Sequence, residues 1–226
     1  MDADFWLSKW QKGETGFHLG QVNPWLEKYW SLVDDLPGDV FVPLCGKSRD
    51  MAWLTQRGRN VVGVELSPLA VEACFHEAGW KSGVTREGAL VGHVAQTGQA
   101  GVTLWQGDFF DLTPVHMAGC RLVYDRAALI ALPAEIRARY VRHLSSLLPV
   151  GSQILLVTLE YPQTEMSGPP FSVEEPEVHA LYGDWGLVER IARQDVLEEN
   201  DRFRQRGVSW LNEVIYRIRK ETSCVS

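Results

Sequence analysis

Gly46 and Glu65 are the pair of residues in this chain whose types and spacing most clearly suggest chemistry. Gly46 lies in a tight turn after the apolar run Val40-Phe41-Val42-Pro43-Leu44. Glu65 closes the next apolar run, Val61-Val62-Gly63-Val64, nineteen positions further on. A glycine beyond one buried strand and a carboxylate at the end of the next is the βαβ arrangement that holds a nucleoside. The backbone approaches the ligand at the glycine, and the carboxylate accepts from both ribose hydroxyls. An acid at a strand end is ordinary by itself. Its position before Ser67-Pro68, a helix cap and first-turn proline, favours the ribose role.

Other groups are expected at the same strand ends. Asp108 could accept from an adenine amino group with Phe109 against the ring, although an acid in a loop is often only a turn former. Asp125-Arg126 ends a further apolar run, where the plain alternative is a local ion pair. His18 stands in the flexible segment Lys12–His18. Gly46-Lys47-Ser48 invites a phosphate-loop reading, but that motif needs a glycine five positions before its Gly-Lys, and Phe41 stands there. The dinucleotide fingerprint GxGxxG is also missing from the turn, which favours a cofactor without a pyrophosphate. The cysteines (Cys45, Cys74, Cys120, Cys224) and histidines show no metal-ligand or disulfide spacing, so no metal is expected. No Ser-His-Asp or Cys-His arrangement can be read.

The elements that must position these groups alternate. Strands are expected at Val40–Leu44, Val61–Glu65, Val102–Trp105, Leu122–Arg126 and Ile154–Leu159. Helices are expected from Asn23-Pro24 to about Leu36, over Asp50–Gln56, Ser67–Ala78 and Pro133–Leu147, and after a Ser172/Glu175 capping box. Leu187–Val196 and Val208–Arg219 read as two antiparallel strands. Residues 80–101, rich in glycine and without a clear period, are expected to be a surface insertion with little order of its own. Phe5, Trp6, Leu7 and Trp10 group on a short N-terminal helix, whose plain alternative is simple packing. The fold class is therefore α/β: a doubly wound, mostly parallel, Rossmann-like sheet with an antiparallel C-terminal strand pair, in one domain over 1–226 with residues 1–22 as an N-terminal helical lid segment.

A net charge of −7 argues against nucleic acid, since phosphate binding needs a basic face. Arg202, Arg204 and Arg206 cluster beside Glu198, Glu199 and Asp201 and read as a solvated loop. No run resembles a signal peptide or approaches the length of a membrane span, so a cytoplasmic, reduced protein is expected, with nothing demanding more than a monomer.

Five blocks in order now make the chain recognisable. They are Trp6-x-x-x-Trp10-x-x-Gly13-x-x-x-Phe17-His18, Phe41-Val42-Pro43-Leu44-Cys45-Gly46-Lys47, Val61-Val62-Gly63-Val64-Glu65, Asp125-Arg126-x-Ala128-Leu129 and Gly168-Pro169-Pro170-Phe171. Together they resemble the thiopurine S-methyltransferase family, most closely its bacterial branch, S-adenosylmethionine-dependent enzymes on the class I methyltransferase fold. The resemblance implies S-adenosylmethionine as cofactor and a small-molecule aromatic or heterocyclic thiol as acceptor. It implies cofactor contacts at Trp6, Trp10, Leu44, Gly46, Glu65, Asp108, Phe109 and Arg126. It also implies acceptor contacts at Phe17, His18, Pro170 and Phe171, and chemistry at Asp125 and Arg126, with Arg126 stabilising the thiolate. Transfer to an inorganic selenium, tellurium or halide acceptor is the near alternative. A non-catalytic nucleoside-binding protein and, more weakly, a nicotinamide oxidoreductase are the alternatives of a different class.

Overall fold

The computed structural model describes residues 3–16 and 18–222. The chain forms two compact units, Met1–Tyr124 and Asp125–Ser226.

In the first unit, α1 (Ala3–Gln11) and α2 (Pro24–Tyr29) precede β1 (Asp39–Val42), α3 (Arg49–Gln56), β2 (Val61–Glu65) and α4 (Pro68–Ala78). Then come β3 (Gly83–Glu87), β4 (Leu90–Thr97), β5 (Ala100–Gln106) and β6 (Cys120–Arg126), whose last two residues already belong to the second unit. The strand order is β3-β4-β5-β2-β1-β6. The pairs β1/β2, β1/β6 and β2/β5 are parallel. All of β2 is buried, as a strand covered on both faces must be. Burying each of Val61, Val62 and Val64 contributes on the order of 1.5–3 kcal/mol.

Local chemistry sets the helix ends. The Ser48 side chain accepts from Asp50 N, and Ser67 caps α4, which ends at left-handed Gly79. Asn23 caps α2 by accepting from Trp25 N at 2.8 Å. That helix stops at Tyr29 and continues as a 3-10 turn, Trp30–Leu32, short of the expected Leu36. Arg59 explains where the chain goes next: it donates to both the carboxylate and the carbonyl of Asp34, at 2.7 and 3.0 Å, and so holds that segment outside a helix.

Residues 80–101 correct the sequence expectation. They form the hairpin β3–β4, and β4 pairs antiparallel with β5, from Val91↔Gln106 to Thr97↔Ala100. The glycines that blurred the period have defined places. A Cβ on Gly92 would stand 2.7 Å from the Trp105 ring, so the cross-strand tryptophan takes the space a side chain would have filled. The first unit's sheet is thus mixed, with a parallel centre and an antiparallel extension that the sequence reading lacked.

The second unit holds α5 (Ala134–Leu147), β7 (Gln153–Glu160), α6 (Glu175–Tyr182), β8 (Gly186–Asp195), α7 (Asp201–Gln205) and β9 (Asn212–Lys220). Its strands are antiparallel in the order β7-β9-β8. The expected capping box is not formed. Glu174 occupies the N-cap of α6, while the Ser172 hydroxyl accepts from Tyr161 N at 3.1 Å and Glu175 N donates to Glu160 Oε1. The basic cluster expected as loop carries the short helix α7, where Arg204 pairs with Asp201 and Glu198. Cys45, Cys74 and Cys120 are free buried thiols, and Cys224 lies outside the described residues. No helix among the described residues is long and apolar enough to cross a membrane.

Candidate active site

The turn after β1 and the end of β2 are joined through Glu65. Its Oε2 accepts the Gly46 N–H at 2.9 Å, and its Oε1 accepts the Ser67 N–H at 2.7 Å. The carboxylate is buried. Burial raises its pKa above the usual carboxylate range, while the N–H groups of Ser67, Gly46 and Leu66 pull the other way. One side chain thus staples two consecutive strand-end turns. Leu44 and Gly46 both take positive φ, 46° and 53°. For Leu44 that conformation costs on the order of 1–2 kcal/mol, offset by Cys45 N donating to Val64 O at 3.0 Å and by the Gly46–Glu65 bond.

Trp10 covers this turn. Its Cζ2 lies 3.2 Å from the position a Cβ on Gly46 would take. Trp6, also half-buried, meets Phe5 edge to face at 5.2 Å. Lys47 reaches away from the turn to Glu77 on α4, and this ion pair is the main cause of the lowered Glu77 pKa. His18 is half-buried and acts weakly on the same Glu77. Phe17 lies outside the described residues. Burial first, then Glu65, pushes the Cys45 thiol well up, and burial holds Cys74 at about 12, so neither thiol is a nucleophile near neutral pH.

The pair after β5 divides differently from expectation. Asp108 is half-buried, and its Oδ1 accepts from Phe110 N at 2.9 Å. Phe109 is 2% exposed and stacks on Phe41 at 6.4 Å, so it fills the core and is not open to a ligand. Phe110, edge-on to Phe109 at 5.4 Å, is the half-buried ring of the two. The alternation of burial along a turn decides this, and residue type cannot show it.

These residues fit an adenosyl cofactor. Ribose hydroxyls and an adenine amino group are donors, and the ends of β2 and β5 offer the carboxylates Glu65 and Asp108 as acceptors. Each carboxylate oxygen has two lone-pair positions, so the Glu65 backbone bonds leave capacity for ligand hydroxyls. The Trp10 ring supplies an aromatic face of the kind that suits a positive centre.

In the second unit, Asp125 is engaged within the fold. It is fully buried, accepts from Tyr140 Oη at 2.7 Å and from Leu129 N at 3.2 Å, and has its pKa raised to about 6 by burial. Its oxygens hold the turn that follows, including left-handed Ala127 (φ 66°), and are engaged by donors of the chain itself. Arg126, half-buried, sits at the start of that turn.

The Gly168–Phe171 loop is pinned at several points. Tyr161 Oη donates to Pro170 O at 2.6 Å, Phe171 N donates to Ile130 O at 2.7 Å, and Ser172 N donates to Gln163 Oε1 at 2.8 Å. Gln163 Nε2 in turn donates to Tyr161 Oη and to Met166 O. Pro170 and Phe171 are left half-buried. Sequence reasoning missed Tyr140, Gln163 and Arg137. Arg137 carried a signal: it stands three and four positions before Tyr140 and Val141, on the apolar face of α5, and is 3% exposed while Ile136 is not buried.

The α/β fold with its mixed sheet is that of the class I S-adenosylmethionine-dependent methyltransferases. The fold is similar to that of magnesium protoporphyrin IX methyltransferase from Synechocystis with bound S-adenosylmethionine (TM-score 0.61, 18% identity, covering 97% of this chain and 98% of that one). It is also similar to the 1,6-didemethyltoxoflavin N1-methyltransferase of Burkholderia thailandensis with bound S-adenosylhomocysteine (TM-score 0.61, 14% identity, 97% and 87% covered). The family model for thiopurine S-methyltransferase matches residues 1–221, and a thiopurine S-methyltransferase of Nitrosospira multiformis is 48% identical over 99% of this chain and 100% of its own length. The chain belongs to the thiopurine S-methyltransferase family and is an S-adenosylmethionine-dependent methyltransferase.

Proposed function

We propose that the enzyme methylates the sulfur of aromatic and heterocyclic thiols, thiopurines among them, by direct in-line attack of the thiolate. The observation that carries this reading is the half-buried aromatic ring of Phe171, packed against Gly168 in a loop whose backbone is fastened at Ile130, Tyr161 and Gln163. A ring fixed in this way suits a flat acceptor, which gains by stacking and needs little reorganisation.

In this reading Glu65, Gly46 and Asp108 hold the adenosyl part, and Trp10 and Trp6 give the positive centre aromatic surroundings. When bound, S-adenosylmethionine supplies an already activated methyl group. The chain's own residues then have to align, exclude water and keep the sulfur deprotonated. A heteroaromatic thiol is more acidic than cysteine, whose reference pKa is about 8.5, so it arrives largely as thiolate. Arg126 stabilises that anion, and no general base is required.

The test pairs calorimetry, using S-adenosylhomocysteine and NAD, with methyl transfer to 6-mercaptopurine and to selenite and tellurite. The expected result is binding of S-adenosylhomocysteine and turnover with the thiol. NAD binding with no response to S-adenosylhomocysteine would sink the cofactor assignment. Turnover with the inorganic acceptors alone would replace the thiol.

A further inference from the structure

We propose that Arg137 is a positioning residue for the acceptor, acting through the ring of Phe171; this rests on the reading of the Gly168–Phe171 loop as the acceptor side. Arg137 belongs to α5, on the helix face that also carries Tyr140, Val141 and Leu144, and is 3% exposed. A buried guanidinium is costly to desolvate and is retained only where its donors are met. Here Nε and Nη1 are met by groups from separate segments. Nε donates to Leu132 O at 2.9 Å, and Nη1 donates to both Glu177 oxygens at 2.7 and 2.8 Å.

The same guanidinium stands 5.7 Å from the centroid of the Phe171 ring. Leu132 follows the 3-10 turn Leu129–Ala131, which begins three residues after Arg126 and whose Ile130 carbonyl accepts from Phe171 N. Arg137 therefore ties the segment that follows Arg126 to the ring-bearing loop and to α6. Phe171 is held twice, by its backbone at Ile130 and by its ring at Arg137. The backbone bond fixes where the loop runs. The cation against the ring fixes the tilt of the face an acceptor would meet.

Three variants separate this role from plain stability. Arg137→Met removes the cation and keeps most of the volume, Phe171→Leu removes the ring, and the double variant closes the cycle. Acceptor KM, S-adenosylhomocysteine Kd and melting temperature are measured for each. Losing the cation–π contact is expected to raise acceptor KM by about tenfold with kcat and cofactor Kd little changed, and Arg137→Lys should recover part of that. In the Phe171→Leu background the Arg137→Met increment should largely vanish.

An equal KM increment in both backgrounds, or a fall in melting temperature with KM unmoved, would overturn the role. If Phe171→Leu itself left KM unchanged, the acceptor-side reading of the loop would fall and this proposal with it. Should Arg137→Met not fold, Glu177→Gln loosens the guanidinium without removing it. The same cycle with Phe171→Leu then decides the matter, coupled KM effects supporting the role and additive ones refuting it.

Discussion

Gly46 N donates to the Glu65 carboxylate at 2.9 Å across nineteen residues of chain, and the other oxygen of that carboxylate takes Ser67 N. Glu65 is therefore a structural staple. A variant that abolishes its charge disturbs two turns at once. Glu65→Gln keeps the shape but turns an amide N–H₂ towards one of two backbone donors. It is expected to weaken S-adenosylhomocysteine binding and to lower stability by about 1–3 kcal/mol, an unmatched buried donor being the main cause. Calorimetry and denaturant unfolding measure the two effects, and unchanged affinity would refute the ribose role.

Gly46→Ala tests the fit of the turn against Trp10. The new Cβ would meet Trp10 Cζ2 at 3.2 Å on a backbone at φ 53°. The left-handed conformation alone should cost about 1–2 kcal/mol, and displacement of Trp10 should weaken cofactor binding further. Tryptophan emission with and without S-adenosylhomocysteine reports the second effect.

Asp125 sets a pH dependence of stability. Its folded pKa of about 6 lies above the unfolded value of about 3.9. The folded state therefore binds the proton more tightly between these values, and this contribution to stability is full below pH 4 and lost as pH rises through 6. Its size is on the order of 3 kcal/mol. Asp125→Asn removes it, so unfolding free energy of the variant relative to the parent should rise from pH 4 to about 7 and then level. A flat difference curve would show that the carboxyl is not perturbed. Because the same carboxylate holds the turn after Arg126, the variant should also lower kcat/KM more than it alters cofactor Kd.

Tyr161→Phe removes the hydroxyl that donates to Pro170 O and accepts from Gln163 Nε2. The expected cost is about 1–2 kcal/mol of stability, with an increase in acceptor KM while S-adenosylhomocysteine binding holds. Melting curves and initial rates with 6-mercaptopurine check it.

Gly92→Ala tests the hairpin. A methyl group 2.7 Å from both the Trp105 ring and Thr85 Cγ2 overpacks the β3–β4–β5 surface. A loss of about 1–3 kcal/mol is expected in urea unfolding. Were 80–101 without order, the variant would be silent.

What the sequence determined by itself is the alternating frame and the position of the turn that faces Glu65. The strand Val61–Glu65, the caps at Asn23 and Ser67 and the closing Gly79 rest on short-range chemistry, which a run of fewer than a dozen residues contains. What only the tertiary structure decided depends on partners distant along the chain. Glycine-rich 80–101 became a hairpin because β5 and Trp105 complete it. Phe109 entered the core and left Phe110 half-buried because Phe41 offered a stacking partner. Asp125 took Tyr140 as its partner, and Ser172 went to Tyr161 and not to a helix cap. Side-chain type and spacing tell which groups are available. Burial and the nearest unmatched donor settle which one each group serves.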